Sequence, residues 1–259
     1  MSSLKKSAAP SWLRALGSEE LPVLISANGR SYRHLRTFKH DFFAATGLYQ
    51  GPAGRVVLKM GRGAPASGLP LGLVGGFLAR HEADMLRLAG SVGGVPRLVG
   101  RWGATGIVRE YIEGRSLART DVPNEEFFPN LERMLRAFHA LGAAVVDLEK
   151  PENVLLGEDG RPYLIDFQIA WHLPVNRGGA TWAARWFLRV LQESDRYHLL
   201  KLWRRLRPDQ LSAEEYARSA RAPFWIRWHR AVFGPLTRLR REILVRLGAR
   251  PTAHGRSPG

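Results

Sequence analysis

The chain has no cysteine at any of its 259 positions. A disulfide framework, a thiolate nucleophile and a Cys-based zinc or iron–sulfur site are therefore excluded, and the absence fits a reducing, cytoplasmic compartment. Long apolar runs are lacking as well. The longest, Leu69 to Ala79, spans eleven residues with three glycines and a proline, whereas a membrane span needs about 20 apolar residues. The basic Lys5-Lys6 is followed by Ala8-Ala9-Pro10-Ser11-Trp12 and not by an apolar signal core, so no export is expected. No internal repeat is visible. Acidic residues are the scarce charge, with 23 Asp and Glu against 39 Lys and Arg, a formal net charge of +16. Leu173 to Gly259 alone holds 18 basic and six acidic residues, +12 of that total. Such a basic segment suits nucleic acid, anionic lipid headgroups or a polyanionic substrate, or is simply a solvated arginine-rich helical surface.

What is present is a globular composition, 45% hydrophobic and 24% charged, which excludes a wholly disordered chain. The length suits one domain or two small lobes sharing a cleft. From about Ser31 to Gly114 the chain is glycine-rich, with short β-type runs at 55–60, 96–99 and 106–111 and one helix over roughly Phe77 to Leu88. From Asn124 onward the pattern is mainly helical, with Asn124 as the expected cap and Glu125 and Glu126 in the first turn. The expected division is an N-terminal extension over 1–30, a small sheet-plus-helix lobe over 31–114, a helical lobe over 115–250 and a frayed tail over 251–259.

Two apolar runs flank Asp159-Gly160, the pair that most strongly signals a two-residue hairpin turn. With that turn Leu156 faces Tyr163 and Asn153 faces Asp166, their Cα atoms about 5 Å apart. An amide oxygen beside a carboxylate suits Mg²⁺, which takes one or two protein carboxylates and fills its remaining positions with water and phosphate oxygens. Upstream, Lys59 shares a strand face with Val57, and a buried ammonium needs a partner. Glu82 lies in the inward stripe of Leu78, Met85, Leu86 and Ala89, so a Lys59–Glu82 pair is expected.

Asp147-Leu148-Glu149-Lys150-Pro151-Glu152-Asn153 resembles the catalytic loop of protein kinases, and Asp166-Phe167-Gln168 resembles their Asp-Phe-Gly motif. The resemblance to the protein-kinase-like superfamily covers roughly Ser31 to Gln168. It implies an α+β, two-lobed fold with a small β-rich N-lobe, a reduced and mainly helical C-lobe, and ATP in the cleft. By the same resemblance Asp147 accepts the acceptor's hydroxyl proton, Lys150 faces the γ-phosphate, and Asn153 and Asp166 hold Mg²⁺. Lys59 and Glu82 then position the α/β-phosphates, while main-chain groups of Glu110 and Ile112, in a stretch resembling the hinge, bond adenine.

The departures are specific. No Gly-x-Gly-x-x-Gly loop precedes the lysine strand, so phosphate cover is assigned to small residues and backbone N–H groups around Ala44 to Gly47, Ala45 and Thr46 among them. Asp147 lies six residues before Asn153, one more than in the kinase pattern, which requires a one-residue bulge. Val145-Val146 replaces the His-Arg pair, Gln168 replaces a glycine, and no Ala-Pro-Glu follows. These losses resemble reduced relatives such as bacterial lipopolysaccharide-core sugar kinases and RIO-like kinases.

Six of the eight tryptophans follow Phe167, interleaved with arginine. Trp182 and Trp186 with Arg185 and Arg189, and Trp225 and Trp228 with Arg227 and Arg230, fall on helical spacing. They suit either an anionic membrane interface or packing within the helical lobe. His139 and His198 are expected as surface or capping residues. The function expected is ATP- and Mg²⁺-dependent transfer of the γ-phosphoryl group to a hydroxyl, on a protein Ser/Thr or a membrane-proximal sugar or lipid. The rival is a pseudokinase, a nucleotide-binding scaffold without turnover. Nucleic-acid binding rests on charge alone and is set aside.

Overall fold

The computed structural model describes residues 11, 14–64, 72–174, 181–223 and 226. Asn28 and Gly29 both take left-handed backbone, at φ 49° and 71°, the conformation a two-residue hairpin turn of matching twist requires. They join β1 (Leu24–Ala27) to β2 (Arg30–His40) in the register Ala27↔Arg30, so the sheet begins ahead of the boundary expected at Ser31. Next come β3 (Ala44–Gly51) and β4 (Gly54–Gly61), then β5 (Leu98–Trp102) and β6 (Gly106–Glu110). The sheet runs β1-β2-β3-β4-β6-β5, with every neighbouring pair antiparallel.

Alternation along these strands separates two faces. Ala45, Tyr49, Val56, Leu58 and Val108 join Leu21, Ile25 and Tyr32 in a small core on one face. The pairs Thr46↔Lys59, Leu48↔Val57, Lys59↔Ile107 and Val57↔Arg109 put Thr46, Val57, Lys59 and Arg109 together on the other. That second face carries α1 (Gly72–Leu88), which starts five residues before the expected Phe77. Glycines at 72, 75 and 76 hide the extra turn from a propensity argument. Gly75 is required by packing, since a Cβ there would drive into the carbonyl of Arg62.

After the sheet, β7 (Gly114–Ser116) leads to α2 (Phe127–Ala140) and β8 (Ala143–Ala144). The hairpin β9 (Val154–Gly157) and β10 (Pro162–Leu164) forms a three-stranded sheet with β7, and β11 (Trp171–His172) pairs with β8. The 25-residue α3 (Trp182–Leu206) and the short α4 (Ala213–Ala220) follow. The fold is mixed α+β, a β-rich sheet first and helices after it. Its larger core joins Met85 and Leu86 of α1 to Phe127, Leu131 and Phe138 of α2, to Phe167, and to Leu199 and Trp203 of α3. Phe128 stacks on Trp203 at 5.2 Å. Each such aromatic contributes roughly 1.5–3 kcal/mol by leaving water.

Asn124 does not cap α2, which starts at Phe127; its amide instead donates to the Gly160 carbonyl at 3.1 Å, tying the hairpin turn to the helix entry. The hairpin is also one residue out of the expected register, with Leu156 opposite Pro162 and Leu155 opposite Tyr163. Gly157 N–H donates to Arg161 O and Gly160 N–H to Gly157 O, both at 2.9 Å, so the loop has three residues and only Gly160 adopts positive φ. Asp159 uses its carboxylate instead, accepting from Arg161 N and Tyr163 Oη. Asn153 therefore stands opposite Ile165, whose N–H donates to its carbonyl at 2.9 Å. His139 and His198 are not surface residues: one bonds a buried carboxylate and the other is buried in α3. Trp203 packs in the core while Trp182 and Trp186 are exposed at the start of α3. Trp225, Trp228, Arg227 and Arg230, like the tail from 251, lie outside the described residues. Among the described residues no helix is long and apolar enough to cross a membrane.

Candidate active site

The inner face of the sheet, the β6–β7 connection and the β9 end of the hairpin enclose a cavity of about 410 Å³. Lys59, Thr46, Val57 and Arg109 line it from the sheet, Glu82 from α1, Ile112 from the connection, and Asn153 and Asp166 from the hairpin side. Ala45 is not among these residues. It belongs to the opposite core, because adjacent strand residues point to opposite faces, so it cannot offer its side chain to a ligand here. The carboxylate of Glu110 also turns elsewhere, to Arg97 at 3.3 Å.

Lys59 Nζ lies 2.8 and 3.0 Å from the two oxygens of Glu82 and 2.7 Å from Asp166 Oδ1. The pair anticipated from two apolar stripes thus forms, with a second carboxylate added. Burial alone would pull the Lys59 ammonium down, yet the charges and hydrogen bonds of Glu82 and Asp166 outweigh it and leave its pKa above the ordinary lysine value. Burial alone would likewise raise Asp166, but Lys59, with help from Lys39 and the Gln168 amide, holds its carboxyl below the usual range. Asp166 takes left-handed backbone at φ 68°, and the next side chain, Phe167, is fully buried 5.4 Å from Phe138. Strain of that kind persists only where packing over-determines it. His81 adds a bond to the Ala170 carbonyl at 2.7 Å, tying α1 to the segment that carries Asp166.

Asp147, Lys150 and Asn153 converge in a second cluster that Asn153 joins to the cavity. Asn153 Nδ2 donates to Asp147 Oδ2 at 3.0 Å and to its carbonyl at 3.1 Å, and Lys150 Nζ reaches Oδ2 at 2.6 Å. The six-residue spacing is absorbed locally: Leu148 turns into the core, and Val146 takes φ 69°. A β-branched residue is strained there. What holds it is Asp195, which the sequence reading left without a role. Asp195 is 0% exposed at the middle of α3 and accepts from Val145 N and Val146 N, both at 2.8 Å, and from His139 Nε2 at 3.0 Å. Gln192, one turn earlier, donates to the carbonyls of His139 and Ala143 at 3.0 Å. A buried carboxylate anchored by two amides fixes the loop that presents Asp147. An acid within a charged helix carries no distinguishing signal, since its partners lie 49 to 56 residues away.

Asn153 and Asp166 supply oxygens alone, which suits a hard cation. With Nδ2 committed to Asp147, the amide oxygen of Asn153 is the atom left for the cleft. Among the described residues no group of three or more His, Asp or Glu could hold a metal, so any cation here would depend on water or ligand oxygens. No protein-family model matches the chain, and no curated protein matches it significantly.

Proposed function

We propose that the protein is a phosphotransferase of two-lobed, protein-kinase-like fold, moving the γ-phosphoryl group of a purine nucleoside triphosphate, ATP by the sequence resemblance, to a hydroxyl acceptor. The observation that carries this reading is Lys59, held between Glu82 and Asp166 in a cleft that Asn153 also lines, with Asn153 in turn bonded to Asp147. Asn153 and Asp166 would hold Mg²⁺, which neutralises charge on the phosphate oxygens. Lys59 binds and screens the phosphates, and Lys150 faces the γ-phosphate and offsets its charge. The hydroxyl oxygen bonds to the γ-phosphorus as the bond to the β–γ bridging oxygen breaks, and the hydroxyl proton passes to Asp147. The acceptor is a protein Ser/Thr or a membrane-proximal sugar or lipid. Exposed Trp182 and Trp186 beside exposed Arg185 and Arg189 favour an acceptor at an anionic membrane surface.

Two substitutions test the roles separately. Mg²⁺ with nucleotide is expected to raise the melting temperature by mass action, and Asp166→Asn to remove that shift. Asp147→Asn is expected to leave the shift intact and to lower turnover by roughly 10²–10⁴-fold, the size of a general-base contribution. A shift that survives Asp166→Asn defeats the metal assignment. A chain that binds nucleotide with no turnover toward lipid, glycan or protein pools is a scaffold and not an enzyme.

A further inference from the structure

Arg109 stands on the cleft face of β6, opposite Val57 of β4, and lines the cavity at only 9% exposure. Its Nε has no hydrogen-bond partner, and Nη1 finds only the carbonyl of Glu110, at 3.5 Å. Glu82 and Asp166 attract it, yet both are already bonded to Lys59, and among the described residues Arg109 forms no ion pair. A guanidinium offers five N–H donors and no acceptor. A guanidinium buried without an ion pair is costly, and Nε itself is shut away from the cleft, so the ligand that completes the site presents acceptors to the terminal N–H groups.

The adjoining main chain points the same way. Glu110 N–H is spent on the Arg97 carbonyl at 2.9 Å and Tyr111 N–H on the Arg55 carbonyl at 3.2 Å. The carbonyl of Glu110, the acceptor an adenine amino group would need, already faces an Arg109 N–H. An amino group would meet a cationic donor there, whereas an oxo group accepts from it. A guanidinium spans the O6 and N7 acceptors of a 6-oxopurine as a bidentate pair.

We propose that Arg109 makes the cleft selective for purine nucleotides carrying a 6-oxo group, guanine or hypoxanthine, over adenine. The inference rests on the phosphotransferase reading and replaces the base that the sequence resemblance implies. Isothermal titration of the full chain with GTP, ITP and ATP, each with Mg²⁺, tests it. GTP and ITP should bind about 5- to 150-fold more tightly than ATP, the range of one good bidentate base contact. ITP lacks the 2-amino group, so a preference that GTP shows and ITP does not overturns the assignment to O6. Arg109→Met should bring GTP and ITP to the affinity of ATP, and a preference that survives it excludes Arg109 as its source. Should that variant not fold, the wild-type comparison decides alone. ATP binding as tightly as GTP overturns the base assignment and leaves the phosphotransferase reading standing. If none of the three binds, that reading falls and the base assignment with it.

Discussion

Replacing Lys59 by methionine is expected to lower phosphotransfer by orders of magnitude and to destabilise the fold together. Lys59 is 8% exposed and bridges two carboxylates, one of them, Glu82, 2% exposed. Removing one partner of a buried ion pair costs about 3–5 kcal/mol, because the remaining charge is left without compensation. In a chain of this size that is a fall in melting temperature of roughly 6–20 °C. The two effects separate in Lys59→Met/Glu82→Gln, where the stranded Glu82 charge is gone. Part of the lost stability should return, while turnover should not, since no cation then faces the phosphates from β4. Retained turnover in Lys59→Met would remove the cleft assignment altogether. The pH dependence has a definite sign. Lys59 is raised, so its contribution is complete below the ordinary lysine value of about 10 and fades as pH rises through the folded one. Asp166 is lowered, so its contribution is complete above about pH 4 and fades as pH falls through its folded value. In the wild type both contributions should therefore be complete from about pH 5 to 9, and melting followed across pH should show this pair's stabilisation fading only outside that window.

Asp195→Ala is expected to be nearly as damaging, for a different reason. The substitution leaves the N–H groups of Val145 and Val146 without an acceptor, in a loop whose φ of 69° at Val146 those bonds hold in place. A buried orphan such as Val145 N–H costs about 1–3 kcal/mol, and the part-buried Val146 N–H and His139 about 1 kcal/mol each, giving a loss of roughly 3–5 kcal/mol. Asp195→Asn should lie between, since its amide keeps one accepting oxygen but turns a donor toward a donor. Asp195 does not line the cleft, so nucleotide affinity in a folded Asp195→Asn should change little while turnover falls as Asp147 leaves its position. A variant with unchanged turnover would show that the loop is held by other contacts. Unfolding followed by fluorescence, with titration and turnover on the same sample, separates the outcomes.

Turn chemistry shows where a local rule serves and where it stops. Asn28-Gly29 has the residue types a two-residue turn demands and forms one, placing β1 in the sheet. Asp159-Gly160 carries the same signal, yet the hairpin closes with a three-residue loop, because the Asp159 carboxylate bonds Arg161 N and Tyr163 Oη and only Gly160 needs left-handed backbone. A one-residue change of register exchanges the faces of a strand. Here the pairing that holds Val154 and Leu164 opposite one another, both buried, is the one the core accepts. Asn153 and Asp166 still reach the same cavity, because Asp166 leaves the extended conformation just past the strand end.

Local pattern was enough to locate the central strand and its lysine, the apolar stripe that surrounds Glu82, and the order of Asp147, Lys150, Asn153 and Asp166 along the chain. These were legible because period-two and period-3.6 patterns are local, and a buried charge within such a pattern announces that it needs an opposite one. Only the assembled fold decided that Asp166 joins Lys59, which lies 107 residues away, that Arg109 lines the cleft with its Nε left unbonded, and that Asp195 holds the strained Val146 in place. Those contacts are closed by packing between distant segments. Neither spacing nor residue type encodes which buried polar groups will meet when the helices dock against the sheet.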